Sequence, residues 1–303
     1  MSILTSAKID FKVATRSPMP WATTAVLILI TGLITYVHQP PADMTIAEGL
    51  EVLYTSLAGI FGVMLPLIIL LLGFAAIAGD RDTHRINLYL SHPNSRADVY
   101  VGKLVSRFLV LVVGLATTFF VIGTASYLNY DVFLVEVFVG LVALTFCYAA
   151  VFFSITMAIT AASTTQERSL SNAIAVYFVL VVVKLIPVIQ VADLVEFLHV
   201  DVLGRAANVD LYNVVEYLNP LTAYQKGLNL VLSDESKFHP FLDSARNIDQ
   251  ESLQHIRRSA NADLPVPELP TYLTDEFALV ILALWIVIPL VLGYWAFDRA
   301  ELM

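Results

Sequence analysis

Two aspartates flank an arginine at residues 80–82, at the start of the run GDRDTHRINLYLSHPNSR (79–96). Paired carboxylates at a membrane surface suit Mg²⁺ and a diphosphate, the chemistry of a lipid-modifying enzyme. Mg²⁺ sites draw on several oxygen ligands, yet the other acids expected on that side are the isolated Glu167, Asp298 and Glu301. The six histidines are scattered, with no H-E-x-x-H and no metal-ligand spacing. Gly102-Lys103 lacks the rest of the phosphate-cradling G-x-x-x-x-G-K-[ST] and is followed by Leu104. A lone Cys147 rules out an intrachain disulfide. No catalytic, metal or cofactor site is therefore expected in this chain. Two charges within apolar runs remain, Glu136 and Lys184. Intramembrane charges are pathway candidates by default, so the two would pair or line an exit; snorkelling to the interface is the plainer alternative.

The elements that hold these residues follow from composition. Of 303 residues, 58% are hydrophobic and 14% charged, and mean hydropathy is +0.75. Soluble domains carry about 25% charged residues, so this chain belongs in a bilayer, and no nucleic-acid partner is expected. Spans need roughly 20 apolar residues. Six segments qualify, at about 21–37, 53–78, 104–128, 132–161, 170–191 and 276–297. The expected fold is all-α and polytopic. Basic residues mark the cytoplasmic loops. Lys8, Lys12 and Arg16 precede the first span, Arg81, Arg85, Arg96 and Lys103 lie at 79–103, Arg168 follows span four and Arg299 follows span six. Residues 38–52 and the turn at 129–131 contain no Lys or Arg. Both termini and the 79–103 segment are thus expected in the cytoplasm of a multi-pass cell-membrane protein.

Four parts are predicted: an interfacial helix at 1–20, spans one to five at 21–191, an external segment at 192–275, and span six with its tail at 276–303. The external segment holds thirteen acidic and six basic residues, so it carries −7 of the chain's −9; such an acidic exterior would also suit a halophile. LYNVVEYLNPLTAYQKGLNLVL (211–232) looks helical, interrupted at Asn219-Pro220, and is expected to lie against the membrane or dip into it. Residues 243–260 read as a soluble helix and 263–270 as an extended return. At the other end, Ile3, Ala7, Phe11 and Ala14 recur at helical spacing beside a basic stripe of Lys8, Lys12 and Arg16. That pattern suits a helix in the membrane surface.

The 79–103 segment itself reads as an elbow. Asp82 or Thr83 can cap a short helix over 84–91, His92-Pro93-Asn94 ends it, and Ser95 with Asp98 forms a capping box opening span three. Leu88 and Leu90 would give this elbow apolar surface, either packed on its own bundle or offered to another protein.

The elbow's sequence decides which family to consider. The run Gly79-Asp80-Arg81-Asp82, then LYLSHPNSR (88–96), then Val101-Gly102-Lys103, resembles a block of ATP-binding-cassette (ABC) type-2 permeases. In those proteins span two ends in Gly-Glu-Arg-Glu, a Leu-Leu-Leu-Ser-x-Pro-x-Ser-Arg segment follows, and Gly-Lys opens span three. Asp80 and Asp82 stand where the family has glutamates, and Thr83-His84-Arg85 replaces Gly-Thr-Leu. The preceding PLIILLLGFAAIAGDRD is most similar to permeases of nitrous-oxide-reductase maturation transporters. The resemblance implies a permease, most often an exporter, in which two copies pair as a homodimer and each sits on a separate cytoplasmic ABC ATPase. ATP and Mg²⁺ would be bound by that partner. Asp80, Arg81, Asp82, Leu88, Leu90, Pro93, Ser95 and Arg96 would form the coupling element docked on it. Two other readings are weighed: a membrane anchor or assembly factor recruiting an extracytoplasmic partner, and the lipid-modifying enzyme considered above.

Overall fold

A computed structural model describes residues 3–40, 44–82, 95–130, 132–186, 191–206, 208–233, 236 and 271–299. Among these, every regular element is helical. The first two helices, α1 (Ile3–Arg16) and α2 (Pro18–Val37), are separated by Ser17 in extended conformation. Pro18 supplies the pre-set φ of a first helical turn. Next come α3 (Ile46–Gly73), α4 (Ala78–Asp82), α5 (Arg96–Asn129), α6 (Val135–Ala162) and α7 (Gln166–Tyr177). Beyond α7 lie α8 (Val191–Phe197), α9 (Val209–Tyr217), α10 (Pro220–Leu228) and α11 (Phe277–Arg299).

Six helical stretches of the described residues are long and apolar enough to cross a bilayer. They coincide with the six expected spans, so the protein is an all-α polytopic membrane protein. Their burial differs in a way that orders the bundle. In its most apolar stretch α6 is 56% buried, whereas α2 and the α7 stretch are 17% buried. α6 is therefore the central helix, with α3 and α11 packed on it, while α1 and α2 lie along α5. The α6–α11 contact is close because Gly293 faces Ala158. A Cβ on Gly293 would stand 2.8 Å from the Ala158 Cα, a small-residue contact of the kind that joins membrane helices.

The helix ends follow local chemistry. α3 opens on a Thr45/Glu48 capping box and α5 on the expected Ser95/Asp98 box. In the latter, Ser95 Oγ accepts from the Asp98 amide at 3.1 Å and the Asp98 carboxylate accepts from the Ser95 amide at 3.0 Å. That cap starts α5 eight residues before the apolar run does. Span five corrects its expected end at residue 191. After α7 the chain loosens into a π turn (Phe178–Val182), tightens into a 3₁₀ turn (Val183–Leu185), and leaves the helix at Ile186 with ψ 107°. The cause is the next residue, Pro187, which disfavours helical backbone in the residue before it.

The 211–232 stretch is a helical hairpin that enters the bundle. Asn219 caps α10, its side chain accepting from the Leu221 amide at 2.8 Å, and Pro220 takes the first helical position. α10 packs against α6 and α11. Tyr224 on α10 is fully buried, stacks on Tyr148 of α6 with ring centroids 4.5 Å apart, and shares a 2.8 Å hydrogen bond with Thr145. The stretch thus packs on the bundle rather than standing apart from it. The expected elements at 84–91, 243–260 and 263–270 lie outside the described residues.

Candidate coupling site

The end of α3 is sewn to α6 by one hydroxyl. Thr160 Oγ1 donates to the Phe74 carbonyl at 2.8 Å and accepts from the amides of Ile77 (3.1 Å) and Ala78 (2.9 Å). Ser169 of α7 donates to the same Phe74 carbonyl at 2.6 Å. The polar backbone exposed where α3 gives way to α4 is thus satisfied by side chains of two other helices, as buried backbone must be.

α4 then directs three charged residues to three different helices. Asp80 forms an ion pair with Lys103 of α5. Lys103 also reaches Asp10 of α1 at 3.4 Å. Asp10 in turn accepts from Ser106 Oγ at 2.6 Å and from Arg107 Nε at 3.0 Å. Side-chain exposure is only 4% for Lys103 and 6% for Asp10, so both charges depend on each other. Burial alone would raise the Asp10 carboxyl, but Lys103 and Arg107, with the hydrogen bonds from Ser106 and Arg107, outweigh it and hold Asp10 below the usual carboxylate range.

Arg81 turns the other way. Its Nη1 donates to the carbonyls of Ala161 at 2.7 Å and Ser163 at 2.9 Å, placing a cation on the unsatisfied C-terminal carbonyls of α6. The guanidinium also lies 5.5 Å from the Phe297 ring centroid of α11. Its Nε and Nη2 are buried without a hydrogen-bond partner among the described residues. Asp82 accepts from the Gln166 amide at 3.4 Å, an acid at the N-terminus of α7. From the far side of the elbow, Arg96 donates to the Asp298 carbonyl near the end of α11. The two ends of the elbow therefore touch α1, α5, α6, α7 and α11. Asp80 and Asp82 face different partners, not one shared cation. Leu88, Leu90 and Pro93 lie outside the described residues.

A family model for ABC-2 family transporter proteins matches residues 4–302. The chain belongs to the ABC-2 transporter family. No curated protein matches it. As an ABC-2 permease the chain is the multi-pass membrane component of a transporter, and permeases of this family in general act with an ABC ATPase.

The two pathway candidates are not brought together. Glu136 lies exposed in the first turn of α6. Lys184, in the 3₁₀ turn after α7, forms an ion pair with Glu216 of α9, with side-chain exposures of 12% and 5%. Of the readings open for these two charges, pairing with each other is not the one seen: the hairpin carries Glu216 back to Lys184 at the broken end of span five. Asn219 ties the same junction, donating to the Leu180 carbonyl at 2.9 Å. Sequence reasoning also passed over Asp10, Ser106, Arg107 and Glu216. Asp10 had a signal available: it is an acid one position from Phe11, on the otherwise apolar side of a basic helix.

Proposed function

We propose that this permease is the membrane half of an exporter in which the 79–103 elbow receives the motion of a separate ABC ATPase. One observation carries the reading: residues at both ends of the elbow are anchored to the ends of several helices. A force applied to the elbow would reach α1 and α5 through Asp80, α6 through Arg81, α7 through Asp82 and α11 through Arg96. Isolated surface charges would give no such transmission. ATP and Mg²⁺ belong to the ATPase in this scheme, and two permease copies pair as a homodimer. Both termini and the elbow face the cytoplasm, and the acidic 192–275 segment faces outward, where an extracytoplasmic partner could meet it. Glu136 and Lys184 stand toward the outward side of the pathway. The likeness of residues 66–82 to permeases of nitrous-oxide-reductase maturation transporters makes that subgroup the proposed subtype.

The test is the double substitution Leu88→Asp/Leu90→Asp. Burying a leucine contributes about 1.5–3 kcal/mol, so two lost contacts should weaken ATPase retention roughly hundredfold or more. Membrane abundance and ATPase co-purification are measured on the same samples. Normal abundance with lost ATPase is the expected result. Normal abundance with normal ATPase retention overturns the docking role.

A further inference from the structure

A narrow crevice of about 60 Å³ lies between α2, α3, α5 and α6, in the half of the bundle nearest α1. Its walls are aliphatic and aromatic, including Leu27, Leu65, Ile68, Leu111, Phe153 and Met157. Polar groups gather where α1 crosses: Thr23, Thr24 and Arg107, beside Ala14. Along α5 the lining runs from Arg107 to Leu115, roughly 12 Å at the helical rise per residue.

Arg107 is only half engaged. Its Nε serves Asp10, while its two terminal nitrogens have no partner among the described residues, and 26% of the side chain is exposed. A guanidinium in that condition suits a phosphate, which it can hold with two parallel hydrogen bonds. Trp21 pins the α1–α2 corner by donating to the Thr15 carbonyl at 2.8 Å, an aromatic at a membrane interface position.

Shape narrows the occupant. A helix, about 10 Å across with its side chains, is too wide for so narrow a cleft. Water finds too few polar partners on such walls. An extended hydrocarbon chain matches both the length and the lining. We infer that the crevice holds one acyl chain of an anionic phospholipid from the leaflet on the α1 side, with its phosphate on Arg107. The lipid completes the packing of α2, one of the two least buried spans.

The full-length protein in mild detergent is titrated with phosphatidylglycerol or phosphatidylcholine, and retained lipid is counted by native mass spectrometry. One phosphatidylglycerol should be held at roughly tenfold lower concentration than phosphatidylcholine, which brings a choline cation beside the phosphate that meets Arg107. Ile68→Trp, which fills the crevice, should abolish that tight retention. Val110→Trp fills it from α5 and serves as an independent variant if the first does not insert. Arg107→Gln should equalise the two lipids while leaving weak retention of both. The inference is overturned if the wild-type chain shows no headgroup preference, or if a filling variant retains phosphatidylglycerol as tightly as wild type. Equal competition by glycerol phosphate, which has the headgroup without the chain, overturns it too.

Discussion

Asp10 is the residue on which the α1 end of the molecule turns. It answers two cations at once, Lys103 at 3.4 Å and Arg107 at 3.0 Å, from a site almost closed to solvent. Removing one partner of a buried ion pair costs about 3–5 kcal/mol when the other is left alone. Lys103 keeps Asp80, so Asp10→Asn should cost less, about 2–3 kcal/mol, read as loss of thermal stability with correct insertion. The pH dependence has a definite sign. Asp10 is held below its ordinary value of 3.8 in the folded protein, so its contribution is complete above about pH 4 and disappears as pH falls through the lowered folded value. A thermal-stability profile should lose an acid-side slope in Asp10→Asn; an unchanged profile would remove Asp10 from this role. Little of this was legible in the sequence. Lys103 stood out there through a family signature, Gly102-Lys103, whereas its partners lie 93 and 23 positions away. No short-range pattern announces such pairs.

At the scale of elements, the spans were legible and their breaks were not. Apolar runs located all six, because hydrocarbon demands length and composition together. The Ser95/Asp98 cap was legible too, since a capping box is a local motif. Span five was misjudged at its end: hydropathy continues past residue 186, and only the constraint imposed by Pro187 stops the helix. The hairpin of α9 and α10 is too polar to be scored as a span, yet it packs inside the bundle because Tyr224 and Thr145 satisfy each other there. Asn219 joins these two features. It caps α10 through the Leu221 amide at 2.8 Å and donates to the Leu180 carbonyl in the π turn at 2.9 Å. Loss of an N-cap costs about 1 kcal/mol, and a buried carbonyl left unpaired adds about 1–3 kcal/mol. Asn219→Ala should therefore destabilise more than an ordinary cap deletion. Asn219→Ser, which can cap but not reach Leu180, should fall between. An Asn219→Ser variant as stable as the wild type would show that the tie to span five contributes nothing.

At the scale of the whole molecule, the two faces of the bundle are built differently. The face with Asp10, Arg81 and Lys103 is tied by ions to helix ends. The opposite face is filled by a hairpin and closed by Lys184–Glu216. The bias of basic residues in short loops proposes an orientation for these faces, and that proposal can be checked directly. A reporter placed within 79–96 should be cytoplasmic and one near residue 251 external; the reverse pattern would invert the proposed topology. How the faces are closed was not legible in charge counts, because it depends on which distant residues meet.

The Asp10–Lys103 contact also sets an order of events during synthesis. Its partners are separated by 93 residues, and at 5–20 residues per second the ribosome needs roughly 5–20 s to supply the second after the first. Throughout that interval α1 has no Lys103 to neutralise Asp10, and its basic stripe has only lipid headgroups to meet. A surface-lying α1, as its sequence predicts, would have two successive addresses: first the membrane surface, then the flank of α5 once Lys103 is in place.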